Sequence, residues 1–301
     1  MKEILLRNTQ PLLPEKYGFK TQYFDLPGMR LHAAVAGPKT GKPVILLHGF
    51  PDFWAGWKKQ IGPLAEAGYR VIVPDQRGYN LSDKPKGIAS YRLDLLAQDV
   101  IGLMDALGCE SARVVGHDWG GVVAWATAAL HPQRVSRLAV LDAPYPPVVY
   151  RTMLSHPQQI LKSWYIYFFQ LPKLPEALLG RAHWKTLVDN LRKTTPPGTF
   201  GRKDFEHYRD AWDQEDAMTC MLNWYRALIQ RPTRLPAHPP LNMPTLVLWG
   251  GRDFALGRQL AEASVKLCQN AELVVFESAN HWIQQEQAPE VNRLLLKFLA
   301  A

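Results

Sequence analysis

The residues with the clearest chemical meaning lie at positions 116–121, which read Gly-His-Asp-Trp-Gly-Gly. A β-branched stretch that predicts a strand ends at Gly116, and small residues that predict a helix follow Gly120. A sharp turn from strand to helix holds a side chain outward, and here that side chain is the carboxylate of Asp118. A carboxylate attacks an alkyl carbon and leaves a covalent ester that water can hydrolyse. The pattern therefore predicts a nucleophile for epoxide or carbon–halogen bonds rather than for esters or amides.

Such a nucleophile needs a base that activates water against its ester, and His281 is the candidate. It follows the last predicted strand, and it comes after both the nucleophile and an acid along the chain. A carboxylate should orient the imidazole and stabilise its charged form. Asp253 is favoured for that role because of the turn around it and the phenylalanine after it. Asp142, at the end of the preceding predicted strand, is the alternative acid.

Two backbone N–H groups are expected to stabilise the negative charge that develops when water attacks the ester. The turn at the nucleophile supplies the N–H of Trp119. The loop 48–51, which reads His-Gly-Phe-Pro, follows a short buried strand and is expected to supply the N–H of Phe50. Each donor of this kind contributes about 3–4 kcal/mol.

Short apolar strands alternate with helical segments around these residues. An opening hairpin is predicted at 21–35, further strands at 43–47, 70–73, 112–115, 138–141, 245–249 and 273–276, and helices at 57–67, 93–107, 121–130 and 290–299. The alternation predicts an α/β fold with a mostly parallel sheet that helices cover on both faces. The carboxyl ends of parallel strands meet at one edge, so Asp118, Asp142, Asp253 and His281 should meet there.

The segment from residue 144 to residue 241 breaks this alternation. It is rich in proline and in aromatic residues, including Trp164, Trp224 and three tyrosines discussed below. It is predicted to be a helical cap inserted between the sixth and seventh main strands. The predicted organisation is therefore a core in two parts, 1–143 and 242–301, with a cap over 144–241.

With these segments assembled, the chain resembles α/β-hydrolase-fold epoxide hydrolases of the soluble, microbial type over nearly its whole length. Residues 48–52 resemble the family's HGxP loop, and residues 116–121 are similar to its nucleophile segment. Asp253 matches its acid segment, and His281 with Trp282 matches its base segment. The resemblance implies the α/β-hydrolase fold and conversion of an apolar epoxide to a vicinal diol, with no metal or organic cofactor.

The leaving group separates epoxide hydrolases from haloalkane dehalogenases, which share the aspartate nucleophile. An opening epoxide becomes an alkoxide, and two lid tyrosines hydrogen-bond to it in epoxide hydrolases, whereas a halide needs no proton. Residues 222–226, Leu-Asn-Trp-Tyr-Arg, resemble the segment of one tyrosine, which falls on Tyr225. Residues 164–172 resemble the other segment, and the match falls on Tyr165. Tyr167 is the alternative if the register is off by two.

The dehalogenase pattern is less well met. Phe50 stands where many haloalkane dehalogenases have a halide-binding asparagine, and Trp119 stands where fluoroacetate dehalogenases usually have arginine. A haloalkane or haloacid dehalogenase that uses Asp118 is the alternative function. The complete set of nucleophile, acid and base disfavours a non-catalytic binding module, and the aspartate in place of serine disfavours an ester hydrolase.

The composition is that of an ordinary globular enzyme, with 301 residues of which 47% are hydrophobic. The net charge is +8, but the basic residues are scattered and no nucleic-acid-binding motif accompanies them, so no nucleic-acid partner is expected.

Cys109, Cys220 and Cys268 are far apart, which is typical of reduced thiols and predicts a cytoplasmic protein without a metal site. No signal peptide and no apolar run of about 20 residues is found, so no membrane partner is expected. The expected ligands are an apolar epoxide and water, and both a monomer and a homodimer fit.

Overall fold

The computed structural model describes residues 19–155 and 157–301. Residues 1–18, in which no signal peptide is predicted, lie outside the described residues. Eight strands form one sheet in the order β1-β2-β4-β3-β5-β6-β7-β8. These are β1 (Lys20–Leu26), β2 (Met29–Ala36), β3 (Pro43–Leu47), β4 (Arg70–Pro74), β5 (Ala112–His117), β6 (Val135–Leu141), β7 (Thr245–Gly250) and β8 (Ala271–Phe276).

The helices fall into a core group and an inserted group. The core helices are α1 (Lys58–Glu66), α2 (Leu93–Ala106) and α3 (Trp119–Leu130) before the insertion, and α11 (Arg258–Val265), α12 (Ile283–Glu286) and α13 (Ala288–Ala300) after it. Between β6 and β7 lie α4 (Pro146–Ser155), α5 (Pro157–Lys162), α6 (Trp164–Phe168), α7 (Leu174–Leu179), α8 (Arg181–Lys193), α9 (Arg202–Trp212) and α10 (Ala217–Gln230). We call the segment from α4 to α10 the lid.

The strand directions follow from the sequence pattern. β2 runs antiparallel to both of its neighbours, and the pairs from β4 to β8 are parallel. The apolar runs of β3 and β6 are buried along almost their whole length, because core helices pack on both faces of the sheet. The predicted α/β fold with a mostly parallel sheet is therefore confirmed.

Several predicted helix boundaries differ from the structure by one or two residues. The segment predicted to be helical from residue 57 begins with a 3₁₀ turn at Trp54–Trp57, and α1 starts at Lys58. The last helix begins at Ala288 rather than at residue 290, because Pro289 fits the first turn of a helix, where its missing N–H costs nothing.

The lid is fastened to the core by indole and phenol groups. Trp212 Nε1 donates a hydrogen bond of 2.6 Å to the carbonyl of Pro51, and the Tyr208 hydroxyl donates one of 2.9 Å to Asp52. Trp224 Nε1 donates to a core carbonyl in the loop after β4 at 3.1 Å. These contacts hold the lid over the carboxyl ends of β3 and β4. No helix in the described ranges is long and apolar enough to cross a membrane.

Candidate active site

Asp118 occupies the turn between β5 and α3 with φ 50° and ψ −123°. A positive φ is strained for a residue with a side chain, so the turn must be imposed by its surroundings. A Cβ atom on Gly116 would lie 2.2 Å from the Gly120 carbonyl oxygen, and one on Gly120 would lie 2.1 Å from the Leu47 carbonyl oxygen. The two glycines therefore let α3 approach the sheet closely enough to force the bend, which presents the carboxylate.

The two predicted N–H donors lie beside this carboxylate. The Phe50 N–H donates a hydrogen bond of 2.8 Å to Asp118 Oδ1. Gly49 permits that approach, because a Cβ atom there would lie 2.4 Å from the same oxygen. Trp119 is the first residue of α3, so its N–H belongs to the first turn, where no intrahelical acceptor is available.

The structure brings the predicted base and acid to the nucleophile. His281 Nδ1 lies 2.7 Å from Asp253 Oδ2, and His281 Nε2 lies 3.5 Å from Asp118 Oδ2. The other oxygen of Asp253 accepts N–H groups of Ala255 at 2.7 Å and of Leu256 at 2.9 Å. The acid is thereby fixed in orientation, with one oxygen held by the loop and the other bound to the imidazole.

The charges of this group favour an ion pair in the resting site. Burial opposes the charged form of His281, but the charges of Asp253 and Asp118 outweigh it and raise the pKa of His281 well above its usual value. Burial likewise opposes ionisation of Asp118, but its contacts with His281 outweigh that effect and lower the pKa of Asp118. Both shifts favour the charged forms, an ionised Asp118 and a protonated His281.

Asp142, the alternative acid, lies nearby in a different environment. It is fully buried, and its Oδ1 accepts the Gly250 N–H at 2.7 Å. Among the described residues its Oδ2 has no hydrogen-bond partner. Burial, and then the charge of Asp253, raises the pKa of Asp142 well above its usual value. His281 Nδ1 bonds Asp253 at 2.7 Å, whereas the bonded oxygen of Asp142 is taken by the Gly250 N–H, so the geometry favours Asp253 as the acid.

The two predicted tyrosines meet above the nucleophile. The rings of Tyr165 and Tyr225 are 5.9 Å apart at 81°, and the Tyr225 ring also packs edge-on against Trp119 at 5.0 Å. Burial, and then the negative charge of Asp118, raises the pKa of both phenols, which therefore keep their protons. Tyr167 is 57% exposed, so burial favours Tyr165 over Tyr167 as the partner of Tyr225.

One pocket joins these groups. It has a volume of about 150 Å³, and Asp118, Tyr165, Tyr167 and Tyr225 lie in its wall. The remaining wall is almost entirely apolar and is formed by Trp119, Val122, Ala143, Pro144, Pro146, Val149, Ile166, Leu228, Ile229 and Leu256, with Ser163 as a further polar residue. Such a pocket suits an apolar ligand with one reactive polar group. Within the described part of the chain, no group of three or more His, Cys, Asp or Glu residues could hold a metal ion.

The lid also holds the loop of the acid, which the sequence analysis missed. Gln159 is buried on α5, its Nε2 donates to the Ala255 carbonyl at 2.8 Å, and its Oε1 accepts the Gly257 N–H at 3.0 Å. Lys162 Nζ donates to the Asp253 carbonyl at 2.7 Å. These contacts join segments 91 to 98 residues apart in the chain, and no local pattern signals them.

A second missed group sets the spacing of the tyrosines. Gln170 Nε2 donates to the Tyr225 carbonyl at 3.0 Å, and Arg226 Nε donates to the Phe169 carbonyl at 3.0 Å. Arg226 also pairs with both carboxylate oxygens of Glu176, at 2.8 and 3.1 Å. The end of α6 is thereby bound to α10. The sequence carried one signal for these contacts, namely the arginine that follows Tyr225 in the segment 222–226.

The loop of the base is held from three sides. Asn280 Oδ1 accepts the N–H groups of Phe254 at 3.0 Å and of His281 at 2.9 Å, which ties the base loop to the acid loop. Glu286 accepts the Asn280 N–H at 3.0 Å. His117 Nε2 lies 2.8 Å from the His281 carbonyl, and burial lowers the pKa of His117 to about 4, so a neutral imidazole donates there.

Comparison with known proteins agrees with this geometry. The model of the α/β hydrolase fold family matches residues 42–288. The chain belongs to the α/β hydrolase fold family. This α/β hydrolase is 46% identical over 283 residues to the AB hydrolase superfamily protein YfhM of Bacillus subtilis, covering 94% of this chain and 98% of that protein. It is 37% identical to human Epoxide hydrolase 4 over 90% of this chain and 76% of that protein.

Solved structures give the same result. This α/β hydrolase resembles the epoxide hydrolase of Bacillus megaterium in complex with an inhibitor, with a TM-score of 0.85, 28% identity, and coverage of 93% of this chain and 100% of that chain. A structure from work on novel epoxide hydrolases in metagenomes from hot environments gives a TM-score of 0.82 and 32% identity, over 93% and 98% of the two chains. The resemblance that the motifs predicted is confirmed.

Proposed function

We propose that this α/β hydrolase is an epoxide hydrolase that converts an apolar epoxide into a vicinal diol through a covalent ester on Asp118. The observation that carries the proposal is an aspartate on the nucleophile turn that shares one apolar pocket with two lid tyrosines whose rings are in contact. A carboxylate suits attack on an alkyl carbon, and a protonated phenol suits the alkoxide that ring opening creates. In this proposal residues 144–241 form the cap of the pocket over a core of 1–143 and 242–301.

In the first step, Asp118 attacks the less hindered carbon of the epoxide. A bond forms between Asp118 and that carbon while the bond from the carbon to the ring oxygen breaks. The negative charge moves from the carboxylate to the ring oxygen, where the hydroxyl groups of Tyr165 and Tyr225 stabilise it by hydrogen bonding. General acid assistance of this kind contributes about 10²–10⁴ in rate.

Ester formation prepares the base for the second step. The charge of Asp118 is one of the two that raise the pKa of His281. Since the ester is neutral, the pKa of His281 falls once the nucleophile has reacted. The proton that the imidazolium then releases balances the proton that the alkoxide takes up.

In the second step, neutral His281, held by Asp253, removes a proton from water, and the resulting hydroxide attacks the carboxyl carbon of Asp118. The N–H groups of Phe50 and Trp119 stabilise the oxyanion of the tetrahedral intermediate. Collapse of that intermediate breaks the bond between the carboxyl carbon and the product oxygen. That oxygen takes the proton of the newly formed carboxyl group, so the diol leaves while Asp118 is again ionised and His281 is again protonated. The reaction uses the side chains and water alone, without a metal or organic cofactor in the scheme.

The test is a paired turnover assay on the purified protein with styrene oxide and 1-bromobutane. We expect diol from the epoxide and no halide from the bromoalkane. An Asp118→Ala variant should form no diol, and its thermal unfolding should show that it is folded. Halide release without diol would transfer the function to a dehalogenase. Full diol formation by the folded Asp118→Ala variant would exclude Asp118 as the nucleophile.

A further inference from the structure

Around α5 and the start of α6, two polar side chains are buried while large apolar side chains beside them are exposed. Gln159 and Ser163 are 1% and 2% exposed, because Gln159 holds the acid loop and also donates to the Ser163 hydroxyl at 3.1 Å. By contrast, Leu161 is 76% exposed, Trp164 63% and Tyr167 57%. A surface helix of a soluble protein normally has the reverse arrangement. The outer side of these helices is therefore built like an interface.

This apolar surface extends over much of the lid. Among the described residues, eight of the eleven large hydrophobic side chains that are exposed belong to the lid. We call them the outer lid face: Ile160, Leu161, Trp164, Tyr167, Leu171, Leu174, Leu178 and Ile229. From Leu161 to Leu178 they recur every three or four residues, through α5, α6, the turn that follows α6, and α7. Tyr167 and Ile229 also line the pocket that holds Asp118, so the outer lid face borders that pocket.

Three exposed basic side chains lie within three residues of members of the outer lid face along the chain. Lys173, Arg181 and Arg231 are exposed, and none of them forms an ion pair with another residue that the structure describes. Glu176 is the one acidic residue between positions 160 and 181 of the sequence, and both of its carboxylate oxygens bind Arg226. The apolar surface is thus accompanied by unpaired basic side chains and by a neutralised acid.

We propose that the outer lid face docks reversibly on a lipid bilayer that contains anionic lipids. The apolar side chains would enter the boundary between headgroups and acyl chains, where Trp164 and Tyr167 suit the mixed polarity. The basic side chains would pair with anionic headgroups, each contributing about 1 kcal/mol. The expectation of no membrane partner rested on the lack of a spanning segment, and three short helices can present an apolar face without any such run.

A second copy of the chain fits the outer lid face less well. A two-fold dimer places the same basic patch on both sides of the interface, so positive charges of one copy would face positive charges of the other. An anionic lipid surface complements these charges instead. The docking does not depend on the reaction that we propose for the pocket.

The experiment is vesicle flotation with the full chain. Vesicles of equimolar phosphatidylglycerol and phosphatidylcholine are compared with pure phosphatidylcholine, at low salt and at about 0.5 M salt, where charge attraction is screened. We expect binding to the mixed vesicles, weaker binding at high salt, and weaker binding to pure phosphatidylcholine. Leu161→Ser with Trp164→Ser should weaken binding to the mixed vesicles by at least about tenfold, because two exposed apolar anchors are lost.

Leu81→Ser is the matched control, since Leu81 is an exposed leucine outside the lid. This variant should bind like the wild type, and circular dichroism with thermal unfolding should show that all variants are folded. The proposal is overturned if the wild type does not float with the mixed vesicles, or if the folded double variant floats as well as the wild type. Light scattering that shows a dimer which the double variant converts to a monomer would assign the outer lid face to a second copy and equally overturn it.

Turnover of styrene oxide is measured on the same samples without vesicles. Retained turnover together with failed docking removes the lipid proposal and leaves the proposed reaction standing. Docking without turnover of any tested epoxide removes the proposed reaction and leaves the lipid proposal standing. The two proposals therefore fail separately.

Discussion

The core and the lid position their reactive groups by different means. In the core, Asp118 and the Phe50 N–H are placed by backbone: a turn with positive φ, and glycines whose Cβ atoms would collide with neighbouring groups. In the lid, Tyr165 and Tyr225 are placed by side chains such as Gln170 and Arg226, which bind the carbonyl groups of facing helices. Substitutions in the core site should therefore abolish activity or leave it nearly unchanged. Substitutions in the lid should lower activity by intermediate amounts.

The largest effect is expected at the base. His281→Gln should stop turnover while leaving the attack of Asp118 intact, because only the second step needs the imidazole. The enzyme should then accumulate as the ester, and intact-protein mass spectrometry should show the added mass of one epoxide, on the peptide that contains Asp118. A substrate that the wild type converts but that leaves no adduct on the variant would count against the two-step route.

The next effect distinguishes the two buried acids of the core. Asp253→Asn should lower kcat by about 10⁴, the loss typical of removing the orienting carboxylate. Asp142→Asn should change kcat by less than about tenfold, because burial raises the pKa of the Asp142 carboxyl and so favours the neutral form that asparagine mimics, and asparagine tolerates the φ of 45°. Steady-state kinetics on the two variants gives the comparison, and equal losses would mean that Asp142 acts directly.

The same substitution makes a prediction about pH. The unfolded chain ionises this carboxyl near pH 3.9, whereas burial keeps Asp142 protonated in the folded protein to a much higher pH. The contribution of Asp142 to stability is therefore complete below about pH 4 and declines as the pH rises from there towards its folded pKa. Thermal unfolding at pH 8 should show Asp142→Asn to be at least as stable as the wild type, and a clear loss would show that the ionised form is stabilised.

The lid tyrosines should give intermediate effects. Tyr225→Phe and Tyr165→Phe should each lower kcat by about 10–100-fold, a share of the typical effect of a general acid, with the double variant lower still. Tyr167→Phe is the control and should stay within about twofold, because its ring is more than half exposed. A larger loss of kcat in Tyr167→Phe than in Tyr165→Phe would assign the second tyrosine of the pair to Tyr167.

The smallest effect is expected where the lid supports the acid. Gln159→Leu removes two hydrogen bonds to the acid loop and should lower kcat by about tenfold or less, with a changed pH profile because Asp253 is less well held. Gln214→Leu, which removes a lid hydrogen bond far from that loop, should leave the profile unchanged. A Gln159→Leu profile identical to that of the wild type would restrict Gln159 to a structural role.

The core site leaves a clearer local pattern in the sequence than the contacts that support the lid site, for a physical reason. The turn at Asp118 requires glycine on both sides, so its chemistry leaves a local pattern that can be read. The choice between Asp253 and Asp142 stayed open because both follow a strand, and only burial and the direction of each oxygen distinguish them. The hold of Gln159 on the acid loop depends on a contact between distant segments, which no spacing encodes.

The two sides of α5 have a joint consequence. Gln159 and Lys162 donate hydrogen bonds to backbone carbonyls of the acid loop. Leu161, which lies between them in the sequence, is exposed to solvent. One short helical turn therefore carries both these contacts and the exposed leucine. A force on Leu161 from outside is expected to reach the loop of Asp253, whose carboxylate bonds His281 at 2.7 Å.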